Sequence, residues 1–173
     1  MEDLKLLPFG DPFLKKKPKE FDFEKDDAKE LSRKLFIAMN KAGGIGLSAN
    51  QVGIDAKVFV MGGNDKIPAK TIINPSLQSV SNNMFSMKEG CLSYPGLWLM
   101  IKRPAECSMS YQDVDGNVVV ENFTGLEARV VLHEYDHMLG QNFTMRASSL
   151  KIQRALKGLD KKVKRFKKRK QNV

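Results

Sequence analysis

Histidine and cysteine are scarce in this sequence: 173 residues carry two of each. Two cysteines provide no disulfide framework, so a reducing cytoplasm is the expected location. Long apolar runs are missing as well. Nothing approaches the roughly 20 consecutive apolar residues of a membrane-spanning helix, and no transmembrane segment is expected. The opening Met1-Glu-Asp-Leu-Lys5 is acidic where a secretory leader is basic. No internal repeat or second-domain boundary interrupts the chain. What is present, 42% apolar and 28% charged residues over 173 positions, suits one domain with a real core.

The two histidines stand four apart in Val131-Leu-His-Glu-Tyr-Asp-His-Met-Leu-Gly140. On a helix, residues i and i+4 lie one above the other, so His133 and His137 can hold one metal ion while Glu134 reaches a water on it. Thr124 and Glu127 read as a capping box. Leu126, Val130, His133 and His137 follow helical spacing, and Gly140 suits the position after the helix end. Both imidazoles therefore face the core with the apolar stripe. A helix that merely buries two histidines would leave their polar atoms short of partners, which a metal supplies.

A third ligand is narrowed by elimination. No third histidine exists, and Phe143 occupies the place where a metzincin would carry one. The one carboxylate after His137 is Asp160, inside a lysine run. The ligand then lies upstream. Cys91 belongs to the turn-rich Lys88-Glu-Gly-Cys-Leu-Ser-Tyr-Pro-Gly96, whereas Cys107 falls in the alternating Cys107-Ser-Met-Ser-Tyr111 and reads as a strand residue. A lone cysteine is often a small buried apolar side chain. Both readings of Cys91 stand at this point.

Gly44-Ile-Gly-Leu-Ser-Ala-Asn-Gln51, Glu89-Gly-Cys-Leu-Ser93 and His133-Glu-Tyr-Asp-His137 resemble, in order and separation, the three signature motifs of the peptide deformylases. The resemblance runs from about Leu6 to Met145 and includes Arg103. It departs at Ser48, where alanine is commoner, at Leu132, where glutamine is usual, and at Met138 in place of leucine; none removes a reacting group. The resemblance implies Cys91, His133 and His137 as ligands of one divalent metal, Fe(II) foremost, with zinc, nickel or cobalt as alternatives. It implies Glu134 as general base and acid, a metal-bound hydroxide as nucleophile, and the Gln51 amide and Leu92 backbone N–H as donors to the oxyanion. The substrate pocket would draw on Gly44, Ile45, Gly46, Gly90, Leu126 and Val130. The expected substrates are N-formylmethionyl peptides, deformylated with release of formate, by a protein expected to be monomeric. Glu89 and Arg103 would pair, either to hold the cysteine loop or as a surface salt bridge. Trp98, in an apolar run, reads equally as core or as an exposed residue near the peptide entry.

The remaining pattern is α+β: mostly antiparallel sheets surrounding a central HExxH helix, with an early helix and a basic C-terminal helix or tail. Asp26 or Asp27 caps a helix with Leu31, Leu35, Ala38, Met39 and Ala42 on one face. Lys57–Met61 and Thr71–Ile73 read as strands, Asn74-Pro75 as a break, Leu77–Ser81 as a further strand and the next residues as a polar loop. Cys107–Gln112 and Val118–Phe123 flank Asp115-Gly116, a hairpin signal. Residues 1–148 form the expected hydrolase domain and 149–173 the basic segment. From Lys151 to Val173 there are eleven Lys or Arg and one Asp, so residues 1–150 are left one charge negative within a net +9. Ile152, Leu156, Leu159, Val163 and Phe166 keep helical spacing after Ser148 or Ser149, with Gly158 a weak point. Such a segment attracts polyanions; the resemblance points to the ribosome or its RNA, and a membrane surface is a second candidate. Two rival functions are a metallohydrolase acting on another amide and an RNA-binding module with a structural metal. Glu134 argues against the second, since a structural site needs no base beside its ligands.

Overall fold

The structure, a computed structural model, describes residues 4–171, with side chains inside the last helix described through Arg165. Phe166, the last residue of the predicted apolar stripe, lies outside the described side chains. Helix α1 (Ala28–Lys41) begins at Asp27, whose side chain accepts the Glu30 backbone N–H at 3.0 Å. That satisfies one of the donors a helix start leaves open. Strands β1 (Gly46–Ser48), β2 (Val58–Met61), β3 (Lys70–Val80), β6 (Glu106–Gln112) and β7 (Val118–Thr124) form one antiparallel sheet in the order β1-β2-β3-β6-β7. Strands β4 (Met84–Glu89) and β5 (Leu99–Pro104) form a separate antiparallel pair.

Alternation along β2 shows where the core lies. Val58 and Val60 pack with Leu35, Ala38 and Met39 of α1, while Phe59 and Met61 pack with Ala128, Val131 and Leu132 of helix α2 (Gly125–Met138). The sheet is thus covered by α1 on one face and α2 on the other. This explains why the Val-Phe-Val-Met run of β2 is apolar at every position and buried throughout. Helix α2 is central: Ala128–Met138 is buried apart from the half-buried Tyr135.

Three sequence expectations change. Asn74-Pro75 does not end the strand; β3 continues through it with a register shift between Ile73 and Ser76, and Asn74 takes a left-handed φ of 49°. The Asn74 side chain stabilises this bulge, accepting from Phe21 N at 2.7 Å and donating to Phe21 O at 3.0 Å and Gln112 Oε1 at 2.9 Å. The polar stretch before the cysteine motif is strand β4, paired with β5 from Met84–Pro104 through Glu89–Leu99. Thr124 is the N-cap of α2, yet its side chain makes no capping bond. Gly125 next to it, at φ 55°, turns the chain out of β7 in a conformation that a capping box does not accommodate.

Helix α3 (Ser149–Gln171) starts beside Ser148, whose Oγ accepts from Lys151 N at 3.5 Å. Its Ile152 and Ala155 pack on Leu97, Leu99, Ile101 and Phe143, and Leu159 approaches Gly96. Gly158 does not interrupt it. From Asp160 to Arg165 every side chain is exposed, so the second half of the helix lacks a partner on the domain among the described residues.

Candidate active site

Three segments meet at the middle of α2. The helix supplies His133, Glu134 and His137; the loop after β4 supplies Cys91; a 3₁₀ turn after β1, Ala49–Val52, supplies Gln51. The ligand atoms of Cys91, His133 and His137 all lie within 4.8 Å of one another, with Cys91 Sγ 3.4 Å from His137 Nε2. Gln51 Nε2 donates to Cys91 Sγ at 3.3 Å and to Ser93 Oγ at 3.0 Å. The other end of that amide is fixed too. Gln51 Oε1 accepts from Ser48 N at 3.0 Å and Ser48 Oγ at 2.9 Å, so the NH₂ group must point into the site.

Behind the ligands lies a buried charge network. His133 Nδ1 is 3.1 Å from Glu89 Oε2, which as a carboxylate can only accept, so the Nδ1–H donates and Nε2 is left for the site. Glu89 is also bound by Arg103 at 2.7 and 3.0 Å and by Arg129 Nη1 at 2.6 Å. Arg103 continues to Asp136 Oδ2 at 2.8 Å and the Leu132 carbonyl at 3.2 Å, and Arg146 closes on the far side of Asp136. Burial alone would raise the Glu89 pKa; hydrogen bonds from His133, Arg103 and Arg129 outweigh it and hold the carboxyl well below its ordinary range. Burial pushes Glu134 up to about 7. Burial drives His137 down to about 3, so its imidazole is neutral at physiological pH and keeps a lone pair for a cation.

The donor set fits a divalent cation. One thiol and two imidazoles combine soft and borderline ligands suited to zinc or iron. Two buried polar atoms, His137 Nδ1 and Glu134 Oε2, have no hydrogen-bond partner. Burial without a partner is costly for either group, and both belong to residues of this cluster.

A cavity of about 670 Å³ opens over the cluster. The predicted pocket residues Gly44, Ile45, Gly46, Gly90, Leu126 and Val130 all line it, together with Gln51, Cys91, Leu92, His133 and Glu134. The glycines are there for contact distance. A Cβ on Gly46 would stand 2.5 Å from Glu134 Oε1 and 2.9 Å from Val130 Cγ1, and one on Gly44 would stand 2.7 Å from Leu92 Cδ1.

The Glu89–Arg103 pair, open to a surface reading from sequence, is buried, with side chains 5% and 1% exposed. Trp98 is exposed and also lines the cavity. Cys107 is a buried strand residue in the core. Sequence reasoning missed Arg129, Asp136 and Ser93. Arg129 was open to detection, because it stands one helical step before His133, as His137 stands one after. Ser93 lies in the cysteine motif, but no pattern ties a serine to a glutamine 42 residues away.

A family model described as polypeptide deformylase matches residues 3–153. The peptide deformylase of Cytophaga hutchinsonii is 38% identical over 159 residues, covering 88% of this chain and 86% of that one. That of Pseudomonas aeruginosa is 36% identical over 162 residues, covering 93% and 96%. Among solved structures, a Synechococcus elongatus peptide deformylase in complex with actinonin superposes with a TM-score of 0.84 at 33% identity, covering 91% of this chain and 86% of that one. The Thermotoga maritima peptide deformylase gives 0.80 at 33% identity, covering 86% and 99%. With the match extending over the whole sheet-and-helix unit that carries the cluster, the chain belongs to the peptide deformylase family.

Proposed function

We propose that this chain removes the formyl group from N-formylmethionyl nascent polypeptides, with Cys91, His133 and His137 holding one divalent cation, Fe(II) foremost. The observation that carries this reading is the cluster of half-buried Cys91 with buried His133 and His137 beside Glu134, at the floor of a cavity between two free sheet edges. Strand β1 ends the larger sheet and β4 has β5 on one side alone, and residues of both line the cavity. An extended peptide fits such a slot because exposed strand edges offer backbone donors and acceptors. Leu126 and Val130 supply an apolar wall for the methionine side chain.

A divalent cation held by Cys91, His133 and His137 would supply Lewis acidity to a water molecule and to the formyl carbonyl. Glu134 accepts the proton the water gives up and returns it to the methionine nitrogen as the C–N bond breaks, so the amine leaves as R–NH2 and the water oxygen, with its second proton, ends in formic acid, which ionises to formate. A carboxyl raised toward neutrality by burial is suited to both transfers. Gln51 Nε2 and the Leu92 N–H donate to the carbonyl oxygen as it gains charge. Ser48 holds the Gln51 amide in the required sense. Glu89 orients His133 through Nδ1, and the Arg103–Asp136–Arg146 chain fixes Glu89 in turn.

The segment after Asp160 we assign to RNA, with ribosomal RNA near emerging chains as the partner and the cytoplasm as the location. Its support is the charge: eight Lys or Arg follow Asp160. The enzymatic reading is tested by formate release from a formylmethionyl peptide, using protein loaded with Fe(II) without oxygen beside Glu134→Gln prepared identically. Release by the first and near silence from the second is expected. Stoichiometric metal without formate from either would end the reading.

A further inference from the structure

The open end of the cavity carries a feature that the deformylation chemistry does not use. Trp98 precedes β5, and its side chain is 54% exposed although its neighbours Leu97 and Leu99 are buried. In the antiparallel register Lys88 faces Met100, which places Gly90 opposite Trp98. The indole leans across Gly90: a Cβ there would lie 3.0–3.1 Å from three ring carbons. The ring thus packs closely over position 90, and a side chain there would press it outward. On the same face Lys88 Nζ stands 5.5 Å from the indole centroid, a cation–π distance.

The charges around the cavity are unequal in access. Of the charged side chains lining it, Glu89 and Arg129 are buried and paired with each other, and Glu134 is buried at the cluster. Lys88 is exposed. A peptide leaving the catalytic end therefore meets an aromatic face with one accessible ammonium beside it and no accessible carboxylate among the described lining residues.

Resting on the deformylase reading above, we propose that Trp98 and Lys88 form a specificity subsite that favours an acidic side chain in the residues following formylmethionine. The carboxylate pairs with Lys88 Nζ while the methylenes of the side chain rest on the indole. Glutamate is preferred to glutamine for its charge, and lysine is disfavoured by repulsion. An exposed ion pair in water is weak, so the preference is about two- to fivefold in kcat/KM for glutamate over glutamine. It diminishes as salt screens the pair.

The test measures kcat/KM on formyl-Met-Ala-Glu, formyl-Met-Ala-Gln and formyl-Met-Ala-Lys, and on the set with the variable residue directly after methionine. Metal-loaded wild type, Lys88→Glu and Trp98→Ala are compared. The glutamate-to-lysine ratio is internal to each enzyme, so loss of folded protein does not move it. Wild type should favour glutamate at one of the two positions, Lys88→Glu should invert the ratio, and Trp98→Ala should raise KM for glutamate and glutamine peptides together. Equal rates on all three side chains at both positions, or a preference that survives Lys88→Glu, overturns the subsite. Absence of formate from every peptide instead overturns the deformylase reading.

Discussion

Replacing Glu89 by glutamine keeps the side-chain shape and removes one charge from the network behind the proposed metal ligands. Arg103 and Arg129, side chains 1% and 6% exposed, then lose their shared carboxylate. An amide cannot substitute, because its NH₂ end would face donors from Arg103 or His133. Breaking a buried pair by removing one partner costs about 3–5 kcal/mol. For a protein of this size each kcal/mol moves Tm by about 2–4 °C, so a fall of about 6–20 °C is expected. The Glu30–Arg33 pair on α1 serves as a comparison. It has the same chemistry, with bonds of 2.8 and 2.9 Å, but side chains 36% and 45% exposed, and Glu30→Gln should leave Tm nearly unchanged because water screens the pair. The Glu89 variant should also bind the cation about 10- to 100-fold more weakly, since His133 loses the acceptor on Nδ1. Thermal unfolding with and without chelator, beside a competition titration for metal, reads both effects. If Glu89→Gln unfolds like Glu30→Gln and keeps its metal affinity, the network does not hold the site.

Three further outcomes follow from local geometry. Gly46→Ala should lower kcat by about 100-fold with the metal content retained, because the new Cβ would stand 2.5 Å from Glu134 Oε1 and displace the base; steady-state kinetics with metal analysis checks this. Cys107 has its pKa raised from 9.0 to about 11 by burial, so its contribution to stability is complete below pH 9 and is lost as pH rises from 9 toward 11. A denaturation series across that window should show a shallower decline for Cys107→Ala. Truncation after Asp160 leaves the Ile152 and Ala155 contacts in place and should preserve formate release while abolishing the salt-dependent part of RNA binding; retention of the full salt slope would refute the assignment of α3.

Helix α2 was legible in the sequence because its pattern is local: two histidines and a glutamate fall within five residues, with the i, i+4 spacing that puts both imidazoles on one face. Cys91 was less so. Its distance to the helix depends on β4, and β4 was hidden because Met-Phe-Ser-Met-Lys-Glu has exposed side chains at four of six positions, leaving no alternation to see. The same edge position that exposes these side chains gives the cavity its second wall. Asn74-Pro75 misled for a related reason, since proline ends a strand unless a bulge frees its position from the ladder.

Arg103 shows what a motif cannot carry. Its identity is plain in the sequence, yet a surface pair and a buried one are spelled alike and differ severalfold in energy. What separates them is that Arg103 reaches two carboxylates from different segments, Glu89 of β4 and Asp136 of α2, and so ties the strand that leads into the Cys91 loop to the histidine-bearing helix. Arg129 repeats the tie by donating to the Ile101 carbonyl of β5 at 3.0 Å as well as to Glu89. The site is therefore held in register by charge between the β4–β5 pair and helix α2, which leaves the free edges of β1 and β4 open to a peptide.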